Sequence, residues 1–174
     1  MRKSGFTLVE LLVVIGVSAV VGTVVLGFFV STLTGRAKAQ ARAHVQEQAR
    51  FAMERMVYEI RRARGIEVTS DFDVDLSDNA SYTLDLDMST AGRDPTTFAV
   101  SAGVLTIKQG SGSAVDLTSN DVEVTNLTFN NRTTANNRSH DITITLTVHK
   151  ADPSGQGSGD IFYTLQSSVE IRGK

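Results

Sequence analysis

One carboxylate stands alone in a long apolar stretch near the start of the chain. Residues 6–30 read FTLVELLVVIGVSAVVGTVVLGFFV, and their only charged side chain is Glu10. A carboxylate near the centre of a bilayer costs about 3 kcal/mol, so such groups normally have a partner. The nearest cations, Arg2 and Lys3, precede the apolar stretch and do not share its helical face. Glu10 is therefore the residue whose chemistry most needs an explanation.

A cut between Gly5 and Phe6 would create the missing cation. The new α-amino group of Phe6 would be a positive charge on the first residue of the helix. Along the helix axis it would lie about 6 Å from the level of Glu10. That amine would stabilise the charged form of Glu10 on an adjacent subunit. Such a pair favours assembly in one register and leaves a lone subunit with an unpaired charge.

The segment KSGFTLVELLVV, residues 3–14, closely resembles the N-terminal signature of type IV pilins and type II secretion pseudopilins. The resemblance implies that prepilin peptidase cuts after Gly5 and that the same enzyme methylates the amine of Phe6. It also implies that Glu10 guides the docking of subunits. The expected partners are other pilin or pseudopilin subunits, the peptidase, the membrane and a filament assembly platform with its ATPase. No cofactor is implied.

The element that must position these residues is a helix long enough to cross a membrane. Residues 6–30 would span roughly 37 Å as a helix, against about 30 Å of hydrocarbon. Arg2 and Lys3 hold the N-terminus in the cytoplasm by the positive-inside tendency. We expect a leader at 1–5, a transmembrane or stalk helix at 6–35, and a single-pass protein of the cytoplasmic membrane. The resemblance places it later in an extracytoplasmic or cell-surface filament.

The same helix is predicted to continue over residues 36–64 with a different character. Apolar residues recur there every three or four positions, which predicts an amphipathic helix. Gly65 is a candidate for the residue that ends it. This segment has eight Lys/Arg and three Glu, a net charge of +5, and the interleaved Glu47, Glu54 and Glu59 indicate a solvated face. The predicted stripe consists of Ala41, Val45, Ala49, Ala52, Met53, Met56, Val57 and Ile60.

Residues 65–174 have the residue pattern of a β-rich domain. They contain seven Lys/Arg and fifteen Asp/Glu, a net charge of −8. Alternating apolar positions predict strands, and residues 101–103 predict a hairpin turn. The fold class is therefore α+β, with the amphipathic half-helix packed on a mostly antiparallel sheet, as the pilin resemblance also implies. The predicted strands cover residues 82–88, 97–100, 104–107, 122–129, 142–148 and 161–171.

Other candidate sites are sparse. The chain has no cysteine, which excludes disulfides and thiolate metal sites. A group of acidic residues suggests a calcium site, although it lacks the EF-hand glycine and closing acid. Ser139, His140 and Asp141 are triad residue types, but adjacency in sequence does not bring them together in space. We predict no enzyme activity and no bound metal. The calcium candidates are Asp71, Asp73, Asp75 and Asp78.

Three alternatives remain open from the residues alone. A monomeric, membrane-anchored binding module would explain the apolar helix but not Glu10. Cleavage after Ala19, at a small-residue signal peptidase site, would release a secreted protein that starts at Val20. A competence pseudopilin would use the arginines of 36–64 to bind DNA, although the interleaved glutamates argue against a nucleic-acid partner. Residues 46–64 also resemble W-type minor pilins and J-type pseudopilins.

Overall fold

The computed structural model describes residues 7–132, 141–151 and 159–171. Helix α1 runs from Leu8 to Arg62, which confirms the long N-terminal helix. Threonine hydroxyls in its apolar half donate to backbone carbonyls one turn earlier, from Thr23 to Ala19 at 2.8 Å and from Thr32 to Phe28 at 2.9 Å. These bonds satisfy polar groups that lipid would leave unpaired. The chain divides into two compact units between Gln40 and Ala41.

In the second unit, α1 buries one face. The predicted apolar stripe is confirmed, because burial begins at Ala41 and recurs every three or four residues to Ile60. Val57, at the edge of the stripe, is only half-buried and packs against the core. The small residues Ala49 and Ala52 on this face are fully buried.

The helix ends differently from the sequence prediction. Gly65 does not act as a left-handed cap, since it adopts no positive φ and instead begins the first strand. The N–H of Ala63 still donates to the Glu59 carbonyl at 3.0 Å, whereas the N–H of Arg64 already donates to the Asp87 carbonyl at 2.7 Å. Because the chain leaves the helix directly into a strand pairing, it needs no left-handed residue there.

The first sheet has five antiparallel strands that follow one another in chain order. The two shortest strands, β1 and β5, were not predicted, because two residues are too few to show an alternating pattern. A short 3-10 helix, Ala91–Arg93, connects β2 to β3. The strands are β1 Gly65–Ile66, β2 Thr83–Asp87, β3 Thr96–Ser101, β4 Val104–Gln109 and β5 Val115–Asp116.

The second sheet contains the three longest strands, β6 Glu123–Asn131, β7 Asp141–Lys150 and β8 Ile161–Glu170. They are also antiparallel and ordered β6-β7-β8. The sheets are linked where the N–H of Val124 donates to the Gly103 carbonyl at 2.8 Å. The single predicted sheet is therefore two sheets.

A single hydrophobic core joins the amphipathic part of α1 to both sheets. Alternate residues of the long strands point into it, as the burial pattern of β7 shows. Its largest members include Phe98 from the first sheet, Phe129 from the second and Met56 from α1. The α+β architecture, a helix packed on antiparallel strands, is confirmed.

Candidate functional site

The first turn of α1 holds Glu10 by a reciprocal pair of hydrogen bonds with Thr7. The backbone N–H of Thr7 donates to Glu10 Oε2 at 3.4 Å, and the N–H of Glu10 donates to Thr7 Oγ1 at 3.3 Å. This is a capping box, in which a threonine before the helix and a glutamate three residues later satisfy each other's backbone donors. Gly5 and Phe6 lie outside the described residues.

Sequence reasoning missed this capping role of Glu10. The signal was present, because Thr7-Leu8-Val9-Glu10 has the spacing of a capping box directly before an apolar run. Thr7 is neutral, so the box orients the Glu10 carboxylate without neutralising it. The carboxylate is exposed at the helix start. It thus remains available to a cation from outside this helix.

The apolar half of α1 is uncovered by the described residues. Its large apolar side chains between Leu8 and Leu33 are each 51% to 80% exposed. Within α1, an eighteen-residue window near the N-terminus has a mean hydropathy of 2.6, and none of that window is buried. Burying one such side chain is worth about 1.5–3 kcal/mol. This half of the helix therefore requires lipid or other apolar helices around it.

The acidic candidates for a calcium site are used as hydrogen-bond acceptors within the fold. Asp71 accepts from the N–H of Thr83 at 2.9 Å, and Asp73 accepts from the Asn130 amide at 2.7 Å. Asp75 accepts from the N–H of Leu127 at 2.9 Å. These bonds connect the loop after β1 to β2 and β6. Each of these three carboxylates thus serves as a hydrogen-bond acceptor within the fold, and calcium binding by this group stays a prediction.

Asp75 is the most strongly engaged of these carboxylates. Burial acts to raise its pKa, but donors from Leu127, Ser77 and Asn126 together hold that pKa below its ordinary value of 3.8. Within the described residues, the acidic groups close enough to share an ion are others, namely Glu67, Asp87 and Asp94. Asp87 also receives the guanidinium of Arg64 at 3.1 Å.

A polar cluster around Asp121 contains a serine and a histidine, the residue types of a catalytic triad, but not in the geometry of a triad. Lys150 Nζ donates to Asp121 at 2.5 Å, and His44 Nε2 lies 3.1 Å from the same carboxylate. The hydroxyl of Ser119 also donates to Asp121, so this described serine is not paired with a histidine base. The lysine, the serine and the histidine hold the pKa of Asp121 well below its usual range. Ser139 and His140 lie outside the described residues.

Glu59 corrects the prediction that the glutamates of α1 lie on a solvated face. Its side chain is fully buried, with an exposed fraction of 0%. Arg93 donates to Glu59 Oε1 at 2.7 Å, Arg55 at 2.8 Å and Gln109 at 3.3 Å. Glu47 and Glu54 are exposed as expected. Arg93 and Gln109 lie far along the chain, so no local pattern could have revealed their contact with Glu59.

Comparison with known protein families identifies the N-terminal feature. Residues 1–26 match the family model of the prokaryotic N-terminal methylation motif, the prepilin-type signal of type IV pilins and pseudopilins. No curated protein and no solved structure matches this chain. The match covers residues 1–26 of 174 and shows a prepilin-type signal there, and α1 is long and apolar enough to cross a membrane. It implies processing by prepilin peptidase and assembly with other pilin subunits.

Proposed function

We propose that this chain is a structural subunit, a minor pilin or pseudopilin, of a type IV pilus-like or type II secretion filament. The observation that carries the proposal is the continuity of two features. The methylation motif at residues 1–26 includes the first part of α1, from Leu8 onward, and the described residues leave the apolar half of that helix uncovered. A filament replaces the lipid around that half-helix with the half-helices of neighbouring subunits.

The proposed sequence of events begins with the N-terminus in the cytoplasm. Prepilin peptidase cuts between Gly5 and Phe6 and methylates the amine of Phe6. The assembly platform then draws the subunit out of the membrane. What supports this order is the position of the motif, which overlaps the start of α1, the only helix of the described residues that is long and apolar enough to cross a membrane.

Glu10 is proposed to dock one subunit on the next. Its carboxylate is exposed at the helix start and holds only long hydrogen bonds to Thr7, of 3.3–3.4 Å. A charged amine makes a stronger hydrogen bond to a carboxylate than a neutral donor does. The amine of Phe6 on an adjacent subunit therefore outcompetes Thr7 for Glu10 Oε2.

The mature N-terminus tests the proposal. Mass spectrometry of the protein from its own cells should find a chain that starts at methylated Phe6. An intact Met1 would instead indicate the plain membrane anchor. A chain that starts at Val20 would indicate the secreted form. Either of these two results would overturn the filament proposal.

Glu10→Ala tests the docking role separately from processing. We expect normal cleavage before Phe6, and at least about tenfold less protein in sheared filaments, which corresponds to about 1.4 kcal/mol of lost docking energy. Thr7→Ala is the matched control, because it removes the capping partner and keeps the carboxylate. It should enter filaments at close to the parent level. The proposed docking role of Glu10 is wrong if Glu10→Ala is cut normally and enters filaments at the parent level.

A further inference from the structure

The face of the second sheet that turns away from the core carries no charged side chain over three successive rows. Side chains alternate along β6, β7 and β8, so every second residue points to this face. The strand register places three residues side by side in each row, one from each strand. We call these nine residues the polar grid. Its rows are Asn130, Thr143 and Ser168; Thr128, Thr145 and Gln166; and Asn126, Thr147 and Thr164.

The polar grid is a regular array of hydroxyl and amide groups. Its rows lie about 6.8 Å apart along the strands, and neighbouring strands lie about 4.8 Å apart. The hydroxyl oxygens of Thr143 and Ser168 are 2.9 Å apart, as are those of Thr147 and Thr164. In each pair one hydroxyl donates to the other, so the pair keeps one O–H donor and several lone pairs for a ligand. The described residues leave every position of the polar grid half-buried or exposed.

The two asparagines of the polar grid are held in place from the edge of β6. The Asn130 amide donates to Asp73 at 2.7 Å, and the Asn126 amide donates to Asp75 at 2.8 Å. Each of these bonds uses one N–H, so each amide keeps its second N–H and its carbonyl oxygen. Because the amides are already oriented, a ligand would lose less free energy in ordering them.

An exposed aromatic ring adjoins the last row of the polar grid. Phe162 is 62% exposed and does not belong to the hydrophobic core. It lies opposite His149 in the strand register, and the two rings are stacked with their centres 4.6 Å apart. The face of an aromatic ring is electron-rich and attracts the weakly positive C–H groups of a sugar ring. A sugar has C–H groups on its faces and hydroxyls around its edge, so it can use both the ring and the polar grid.

We propose that the polar grid and Phe162 bind a neutral polysaccharide. The charge pattern selects this ligand, because 21% of the chain is charged and none of these nine positions is. Carboxylates lie beyond both ends of the polar grid, with Asp141 opposite Glu170 at one end and Glu123 opposite His149 at the other. An uncharged ligand finds hydrogen bonds here, whereas a polyanion meets repulsion at both ends. The inference uses only the second unit and does not depend on the proposed function.

The side-chain chemistry of the polar grid disfavours other classes of partner. A nucleic acid needs lysines or arginines to neutralise its phosphates, and the polar grid has neither. The cores of protein–protein interfaces are enriched in aromatic residues, methionine and arginine and depleted in serine, which is the opposite composition. Hydroxyls and amides both donate and accept. They therefore match a ligand that itself presents hydroxyl groups at regular intervals.

Co-sedimentation with insoluble polysaccharides tests the proposal. Full-length chain, kept in a detergent without a sugar headgroup, should sediment with cellulose or with chitin, which are both neutral polymers. A higher salt concentration should leave the bound fraction unchanged, because salt weakens contacts between charges and this contact has none. Soluble fragments of the same polysaccharide should release the chain.

Replacing the central column of hydroxyls separates the polar grid from the rest of the surface. The triple variant Thr143→Val, Thr145→Val and Thr147→Val should bind at least about tenfold more weakly, since three hydrogen-bonding groups are lost. Valine keeps the branched shape and the strand propensity, so the circular dichroism spectrum should stay that of the parent. Thr106→Val, at a half-buried threonine of β4 in the first sheet, is the matched control and should bind like the parent.

Two single variants keep the test decisive if the triple variant does not fold. Gln166→Ala removes an amide at an exposed position of β8, and Phe162→Ala removes the exposed ring. Neither side chain belongs to the hydrophobic core, so both variants should fold like the parent. Each should lower binding about threefold or more.

Four results would overturn the proposal. The first is that the parent sediments with neither cellulose nor chitin. The second is binding to heparin beads alone, lost at high salt, which would show an electrostatic site for polyanions. The third is a folded triple variant that sediments as well as the parent, which would place the contact elsewhere on the chain. The fourth is enrichment of the chain in growing ice without polysaccharide binding, which would show that the polar grid orders water instead of sugar.

Discussion

Glu59 is a buried carboxylate whose two oxygens differ in their hydrogen bonds. Oε1 accepts from Arg55, Arg93 and Gln109, whereas Oε2 is buried without a partner among the described residues. A buried charge is tolerated only when it is paired and hydrogen-bonded. The three donors on one oxygen provide that compensation. They also connect α1, the 3-10 helix and the end of β4 at one point.

Glu59→Ala should therefore destabilise the protein strongly. Removal of one partner leaves Arg55 and Arg93 without their counter-charge, and breaking a buried pair costs about 3–5 kcal/mol. Because both arginines are partly exposed, we expect the lower end, about 3 kcal/mol. Urea unfolding of the full chain in detergent measures it. Glu47→Ala, an exposed glutamate of the same helix, should stay within about 0.5 kcal/mol of the parent. Equal midpoints for the two variants would show that the network does not stabilise the fold.

At the scale of the element, the β3–β4 hairpin turns tightly through Ala102 and Gly103. Both residues have positive φ, 49° for Ala102 and 76° for Gly103. Two residues of positive φ describe the turn whose twist matches that of the flanking strands. Glycine adopts this conformation freely, whereas in alanine the Cβ comes too close to the following carbonyl oxygen. The hairpin predicted around residues 101–103 is confirmed, with a strained residue at its first central position.

Ala102→Asn should stabilise the hairpin, because asparagine tolerates the left-handed region and is favoured before glycine in this turn. We expect a gain of about 0.5–1 kcal/mol in the free energy of unfolding. Thermal unfolding followed by circular dichroism measures it. Ala114→Asn is the control, since Ala114 is also exposed but has no positive φ. If both variants gain equally, the cause is not the backbone conformation of the turn.

At the scale of the whole molecule, charge holds distant parts of the second unit together. Asp121 joins His44 of α1 to Lys150 at the end of β7. Asp75 joins the loop after β1 to β6 through Leu127 and Asn126. Both carboxylates have a pKa below the ordinary value, so both bind protons more weakly when folded than when unfolded.

Acid should therefore destabilise the protein by protonating Asp75 and Asp121. A depressed pKa contributes stability that is complete above the unfolded value, about 3.9, and is lost as pH falls through the folded value. We expect the urea midpoint to be level near neutral pH and to fall below about pH 4. Asp75→Asn should lower the midpoint at neutral pH and flatten its acid dependence. Asp78→Asn, at an exposed position in the same loop, should keep the parent profile. If the urea midpoint of Asp75→Asn falls with acid as steeply as that of the parent, the Asp75 carboxylate does not cause the acid dependence.

The parts of the fold that local patterns encode were predictable. The amphipathic stripe of α1 repeats every three or four residues, and β7 alternates along its whole length, so neighbours in sequence carry the signal. The two-residue strands β1 and β5 exist only because longer strands lie beside them. The capping box at Thr7 and Glu10 was also local, and it was missed because Glu10 was considered only as a charge.

By itself the sequence determined the N-terminal motif, the long helix with one apolar and one amphipathic half, and the main strands. Each follows from residues within a few positions of one another, where covalent geometry sets the spacing. Only the tertiary structure decided that Glu59 is buried, that the strands form two sheets, and that Asp75 holds β6. The contacts of Glu59 and of Asp75 depend on partners 34 to 52 residues away. A side chain's local pattern contains no information about a group that folding brings to it from so far along the chain.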